Sequence, residues 1–135
     1  MIALNQEFRH DFSFTQKQVE AFAEVTGDKN PVHLDAAYAA TTMFKVPIMH
    51  GMLSACIFSK VFGTLFPGEG TIYLSQTLQF RRPMLVDTQY EAVFTVKTIE
   101  SDKNRATIET TILDKSTQKP VTTGEAVVMN TSQIK

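Results

Sequence analysis

An aspartate and a histidine stand five positions apart in the stretch Thr26-Gly27-Asp28-Lys29-Asn30-Pro31-Val32-His33. Pro31 lacks an N–H and pushes Asn30 out of the α region, so helical turns do not set the Asp28–His33 spacing. A loop here can fold back and aim a carboxylate and an imidazole at one small volume. Two such groups sharing a water can move its protons, one removing a proton while the other delivers one. Singly, Asp28 reads as an acid at a helix end and His33 as a satisfied structural histidine. The pair, with Asn30 and Pro31 between, is what points to catalysis.

A reaction that gathers negative charge on a substrate oxygen also needs hydrogen-bond donors. His50-Gly51 opens a long apolar run, and a helix starting there offers unpaired N–H groups with a partial positive charge. Glycine lets an oxygen approach without meeting a Cβ, which makes the Gly51 N–H a candidate oxyanion donor. Easing tight helix entry after Pro47 is the plainer role for the same residue. His50 reads as a capping residue. Asn30 can orient the loop through its side-chain amide, as Asx turns do. A metal is not expected. EF-hand spacing fails at Val32, and no Cys/His pair of the zinc type accompanies His33.

The elements that must position these groups are legible in outline. Thr15 is an N-cap for a helix with Val19, Phe22 and Ala23 on one face, and Gly27 ends it. Asp35 can cap a short helix through Ala36, Tyr38 and Ala40. The longest helix is expected from His50 or Gly51 to about Phe66, apolar nearly all round and so buried on most sides. Gly51, Ala55 and Ser59 recur every four residues as a stripe of small side chains. The second half alternates with period two around Ile72–Phe80, Tyr90–Val96, Ala106–Ile112 and Val121–Met129, which predicts four antiparallel strands.

The Asp-x-Asn-Pro-x-His core formed by Asp28, Asn30, Pro31 and His33 after Gly27 resembles the signature of the MaoC-like dehydratases, the (R)-specific enoyl-CoA hydratases of the hydratase 2 type. The resemblance implies an α+β chain with a single hot-dog domain over residues 1–135, an antiparallel sheet wrapped around the long central helix. It also implies reversible addition of water to a trans-2-enoyl-CoA, giving the (R)-3-hydroxyacyl-CoA. Asp28 and His33 would grip the water, with either residue open to either proton transfer, and Gly51 would hold the thioester oxygen. The family has a serine in the place of Ser59, whose hydroxyl would bond to the pair; a bond back to its own helix carbonyl is the competing role. Phe62 shares a helix face with Ser59 and would either floor the acyl tunnel or fill core. Arg81 and Arg82 are the densest basic pair, placed to meet substrate phosphates or simply to be solvated. No cofactor is implied, and a homodimer is. The rivals are a dehydratase of acyl-carrier-protein esters, a hot-dog thioesterase, which lacks such a loop, and a non-catalytic acyl-CoA-binding protein.

Composition narrows the field further. The 135 residues fit one domain able to bury a core without disulfides, and the single Cys56 falls in an apolar run, which predicts a buried thiol. Thirteen Lys and Arg against fourteen Asp and Glu give a net charge of −1 with no basic stripe, so nucleic-acid binding is not expected. Ile48–Phe66 carries His50, Ser54, Ser59 and Lys60, too polar for a membrane span. Met1–Glu7 shows no basic stretch followed by an apolar run, so a secretory signal is not expected and a cytoplasmic protein is.

Overall fold

The computed structural model describes residues 1–135. Strand β1 (Glu7–Phe12) leads to helix α1 (Gln16–Thr26), the short helices α2 (Pro31–Leu34) and α3 (Ala36–Ala40), and the long helix α4 (Gly51–Thr64). Strands β2 (Ile72–Gln76), β3 (Gln79–Phe80), β4 (Tyr90–Glu100), β5 (Arg105–Asp114) and β6 (Pro120–Met129) follow. They form one antiparallel sheet in the order β1-β4-β5-β6-β2, with β3 also paired to β6. The sheet packs on α4, giving the hot-dog arrangement.

The caps fall where the residue types require them. The Thr15 hydroxyl accepts from the Gln18 N–H at 3.2 Å, and the Gln18 side chain accepts from the Thr15 N–H at 2.9 Å. Gly27, at φ 78°, ends α1 in the left-handed region. Asp35 accepts from the N–H groups of Ala37 and Tyr38 and so caps α3.

Between them, the expected loop from Asp28 to His33 is partly helical. Pro31 does not break a helix there; it opens one. Proline is preorganised for the first helical position, where its missing N–H has no partner to lose. Asn30 is the cap, its Oδ1 accepting from the Val32 N–H at 3.2 Å. His33 therefore sits on a turn of helix, while Asp28 stays in the irregular link before it, at the centre of a tight turn closed by the Lys29 N–H to Gly27 carbonyl bond.

Two further expectations need correction. Helix α4 buries Leu53, Ser54, Ile57, Phe58, Val61 and Phe62 against the sheet, but Met52, Cys56, Ser59 and Gly63 are exposed. The sheet covers one side of the helix only, so Cys56 is an exposed thiol and not a buried one. The single strand expected over Ile72–Phe80 is two. A bulge between Tyr73 and Ser75 shifts the register, and Tyr73 turns inward while Ile72 and Leu74 stay exposed. Strand β1 adds a sixth strand beyond those expected, with Phe8, His10 and Phe12 alternating along it. It is short, and its pairing partner β4, with Phe8 opposite Phe94, is remote in sequence.

The core gathers where aromatic rings meet. Phe58 and Phe62 approach Phe94 edge-on with centroids 5.7 and 5.3 Å apart, and Phe62 meets Tyr73 at 5.1 Å. Phe62 is 1 % exposed and fills core, lining none of the cavities described below. Phe62→Ala should lower stability by about 3–5 kcal/mol in denaturant unfolding, the cost of an unfilled aromatic cavity. Its preference between crotonyl-CoA and octenoyl-CoA should not change. A gain on the longer substrate would return Phe62 to the acyl path.

Candidate active site

Three segments converge on one corner of the fold. The first is the link after α1. The Thr26 hydroxyl donates to the Phe22 carbonyl and accepts from the Asp28 N–H, which holds the backbone of Asp28 against the end of the helix. The second is α2, tied back to α1 by Gln16 Nε2, which donates to the His33 carbonyl at 2.9 Å. The third is the approach to α4, where the Ile48 N–H donates to the Val32 carbonyl and the Met49 N–H to the Met84 carbonyl.

His33 Nδ1 lies 2.7 Å from the Ile48 carbonyl oxygen. A carbonyl can only accept, so Nδ1 carries the hydrogen and Nε2 keeps its lone pair. Burial holds His33 below the usual imidazole range, and His50 lowers it further. The Ile48 bond and the Asp28 charge oppose that shift without reversing it. At neutral pH His33 is thus an uncharged ring with a proton-accepting Nε2.

The Asp28 and His33 side chains line a cavity of about 500 Å³ together with His50, Gly51, Arg81 and Arg82. Gly51 is the first residue of α4, and its N–H has no acceptor within the chain. A side chain there would crowd its neighbour. A Cβ built there would stand 2.7 Å from two carbons of the Phe80 ring, which covers the helix start. Arg81 is held by Thr123 Oγ1 at 2.8 Å and Gln79 Oε1 at 2.6 Å, while Arg82 is exposed. Both therefore give the cavity a positive rim.

His50 does not cap α4. Its side chain makes no cap hydrogen bond; instead Nε2–H donates to the Asp28 carbonyl at 2.9 Å. The ring stacks on His33 with centroids 3.9 Å apart and 32° between planes, and Phe22 meets it edge-on at 5.0 Å. The sequence hid this residue because twenty-two positions separate it from Asp28, and only the fold brings the two together. Its one visible signal was a polar ring directly before a glycine at the start of an apolar helix.

Ser59 is not brought to the pair within the chain. Eight positions along α4 carry it about 12 Å from the helix start. There it is exposed and lines a second cavity of about 380 Å³ with Cys56, Tyr73 and Gln76. The serine nearest Gly51 is Ser54, which is buried and donates to the Gly51 carbonyl at 2.6 Å. Asn30 acts on the backbone of α2 and supports His33 through it.

A second imidazole beside His33 removes one reason for expecting no metal. One ligand atom each from Asp28, His33 and His50 lie within 4.8 Å of one another. The free nitrogens of the two tilted rings, His33 Nε2 and His50 Nδ1, and the Asp28 carboxylate form a donor set open to a shared water or to an ion.

Comparison with known proteins covers nearly the whole chain. A family model described as a MaoC like domain matches residues 2–119. The (R)-specific enoyl-CoA hydratase of Aeromonas caviae is 43% identical over 127 residues, 94% of each chain. That of Rhodospirillum rubrum is 39% identical over 117 residues, 87% of this chain and 80% of its own. A solved structure of the A. caviae (R)-hydratase involved in PHA biosynthesis superposes with a TM-score of 0.91 at 42% identity, covering 96% of this chain and 97% of that one. Site and comparisons thus lead to the same place: the chain belongs to the MaoC-like family.

Proposed function

We propose that this protein catalyses the reversible (R)-specific hydration of a trans-2-enoyl-CoA to the (R)-3-hydroxyacyl-CoA. The observation that carries the reading is one cavity holding the Asp28 carboxylate, an unprotonated His33 Nε2 and the Gly51 N–H at the start of α4. In the hydration direction a water lies between Asp28 and His33. His33 Nε2 takes one of its protons as the oxygen bonds to Cβ, and Asp28 holds the other. The electron pair of the double bond moves to the thioester oxygen, which the Gly51 N–H and the α4 dipole hold as an enolate. The enolate then takes a proton at Cα from the pair, so that hydroxyl and hydrogen have been added and the enzyme is restored. No redox or metal step is needed.

Relatives named for acyl-CoA substrates favour CoA over the acyl-carrier-protein ester, and Arg81 and Arg82 stand where an anionic carrier would enter. The stereochemical course rests on the names of those relatives. A homodimer belongs to the same proposal. Strand β2 is an open sheet edge, with Ile72 51 % and Leu74 42 % exposed, and Met52 beside it on α4 is 56 % exposed. A second copy covering this face would leave an ordinary polar surface. A cytoplasmic location is proposed with it. No helix of the chain is long and apolar enough to cross a membrane.

Loss of the enone absorbance of crotonyl-CoA tests the reaction directly. Asp28→Asn and His33→Ala should each lower kcat by roughly 10²–10⁴ with folding intact. Near-normal turnover in Asp28→Asn would sink the assignment. Because His33 works uncharged and burial lowers its pKa, kcat/KM should hold as pH falls through the usual imidazole range and drop only below it. A limb at or above the ordinary value would contradict a neutral His33.

Gly51→Ala keeps the donor but drives a methyl group into the Phe80 ring. Phe80 is half-exposed and can yield, so stability should change little. The displaced ring and the added Cβ should lower kcat by about 10²-fold, the usual cost of misplacing reacting groups by about 1 Å, with a smaller rise in KM. Parent-like kinetics would place the oxyanion site elsewhere.

A further inference from the structure

The cavity leaves one group unexplained. His50 Nδ1 is the one buried side-chain nitrogen or oxygen without a hydrogen-bond partner, and the residue is 2 % exposed. Burying an unpaired acceptor destabilises a fold, and an apolar ring would fill the same space at no such cost. Capping of α4 does not account for the histidine, because its side chain makes no cap bond. Besides the edge of Phe22, the ring has two contacts, and both of these end on the proposed acid–base pair. Nε2–H holds the Asp28 carbonyl at 2.9 Å, and one ring face lies on His33 at 3.9 Å. The backbone of the same residue leads directly into Gly51.

We infer that His50 is a positioning residue for the hydration proposed above, tying the carboxylate, the imidazole and the oxyanion donor into one rigid set. Its Nε2–H fixes the backbone of Asp28, whose carboxylate would otherwise swing with an exposed link. Its ring face fixes the plane of His33 about the Nδ1–H···O=C bond to Ile48, which by itself leaves the ring free to tilt. Because both holds come from the residue before Gly51, any shift of the helix start moves all three groups together. Phe22 supports the far edge of the His50 ring. The inference rests on the hydratase reading for its chemistry, but the two holds do not.

His33 reports on the arrangement. The titratable and charged groups facing it are Asp28, His50 and, across the cavity, Arg81 and Arg82; α1 presents only Gln16 and Phe22. Two substitutions separate the holds. His50→Phe keeps a ring against His33 and loses the donor to Asp28, whereas His50→Gln keeps a donor and loses the ring face. Each should lower kcat on crotonyl-CoA by about tenfold to a hundredfold with KM within about twofold, as for reacting groups shifted by under about 1 Å. Each should also raise the pH at which His33 titrates, since His50 lowers it in the parent. The acid limb of kcat/KM should move up with it.

Nitrogen-15 spectra of labelled histidines give the readout that needs no turnover. In the parent, His50 should show hydrogen on Nε2 and His33 hydrogen on Nδ1. A His50 carrying its hydrogen on Nδ1 would overturn the inference without any variant having to fold. Variants with a lower melting temperature but unchanged kcat and unchanged His33 titration would overturn it too, leaving His50 as packing. A parent inactive on every enoyl-CoA would defeat the hydratase reading instead, and the His33 titration in the variants would still decide the role of His50.

Discussion

The 2.7 Å hydrogen bond from His33 to the Ile48 carbonyl is the contact on which the rest of the corner depends. It joins α2 to the segment that enters α4, two pieces of chain fifteen positions apart in sequence. It also settles the chemistry, because giving the hydrogen to Nδ1 leaves Nε2 as an acceptor. Placement and reactivity come from one bond. The reciprocal bond from the Ile48 N–H to the Val32 carbonyl closes the joint, so α2 cannot rotate His33 away without breaking both.

That joint is useful only if the start of α4 is itself immobile, and the sheet supplies this. Phe58 and Phe62 meet Phe94 of β4 in edge-on contacts, and β4 is held on both sides by β1 and β5. The helix is therefore anchored along its middle while its first turn projects into the cavity. A partial positive charge at that end acts on a site walled by apolar Met49 and the Phe80 ring, where screening by water is reduced. Rigid support and free N–H groups come from different parts of one helix.

Much of this is legible in the residue types alone. Thr15, Gly27 and Asp35 act locally, each satisfying or ending a helix within a few residues, and each was found where its type predicts. The spacing of Asp28 and His33 marked the site, though not the turn of helix that carries His33, because Pro31 is compatible both with stopping a helix and with starting one. What stayed hidden was long-range. Alternation in Ile72–Phe80 does not say which face meets the core once a bulge intervenes. An apolar helix does not say that the sheet covers one side of it, and so Cys56 is exposed where a buried thiol is expected. His50 escaped for the same reason: its partners lie near in space and far in sequence.

The places where local rules fail are themselves informative. Elsewhere the chain largely obeys them: α1, α2 and α3 have side-chain caps, and the other buried polar side chains are paired. The exceptions are an orphaned His50 Nδ1, a glycine under the Phe80 ring and an open apolar face along β2 and α4. A chain shaped for stability alone would replace the first with an apolar ring, fill the second and make the third polar. Two of the three adjoin the cavity with Asp28 and His33, and the third lies along the same helix. The departures cluster on α4 because that helix has two employments, as the centre of the core and as one wall of a site. Its N-terminal turn yields packing to chemistry, its outer side yields polarity to a second surface, and its inner side, facing Phe94, keeps both in place.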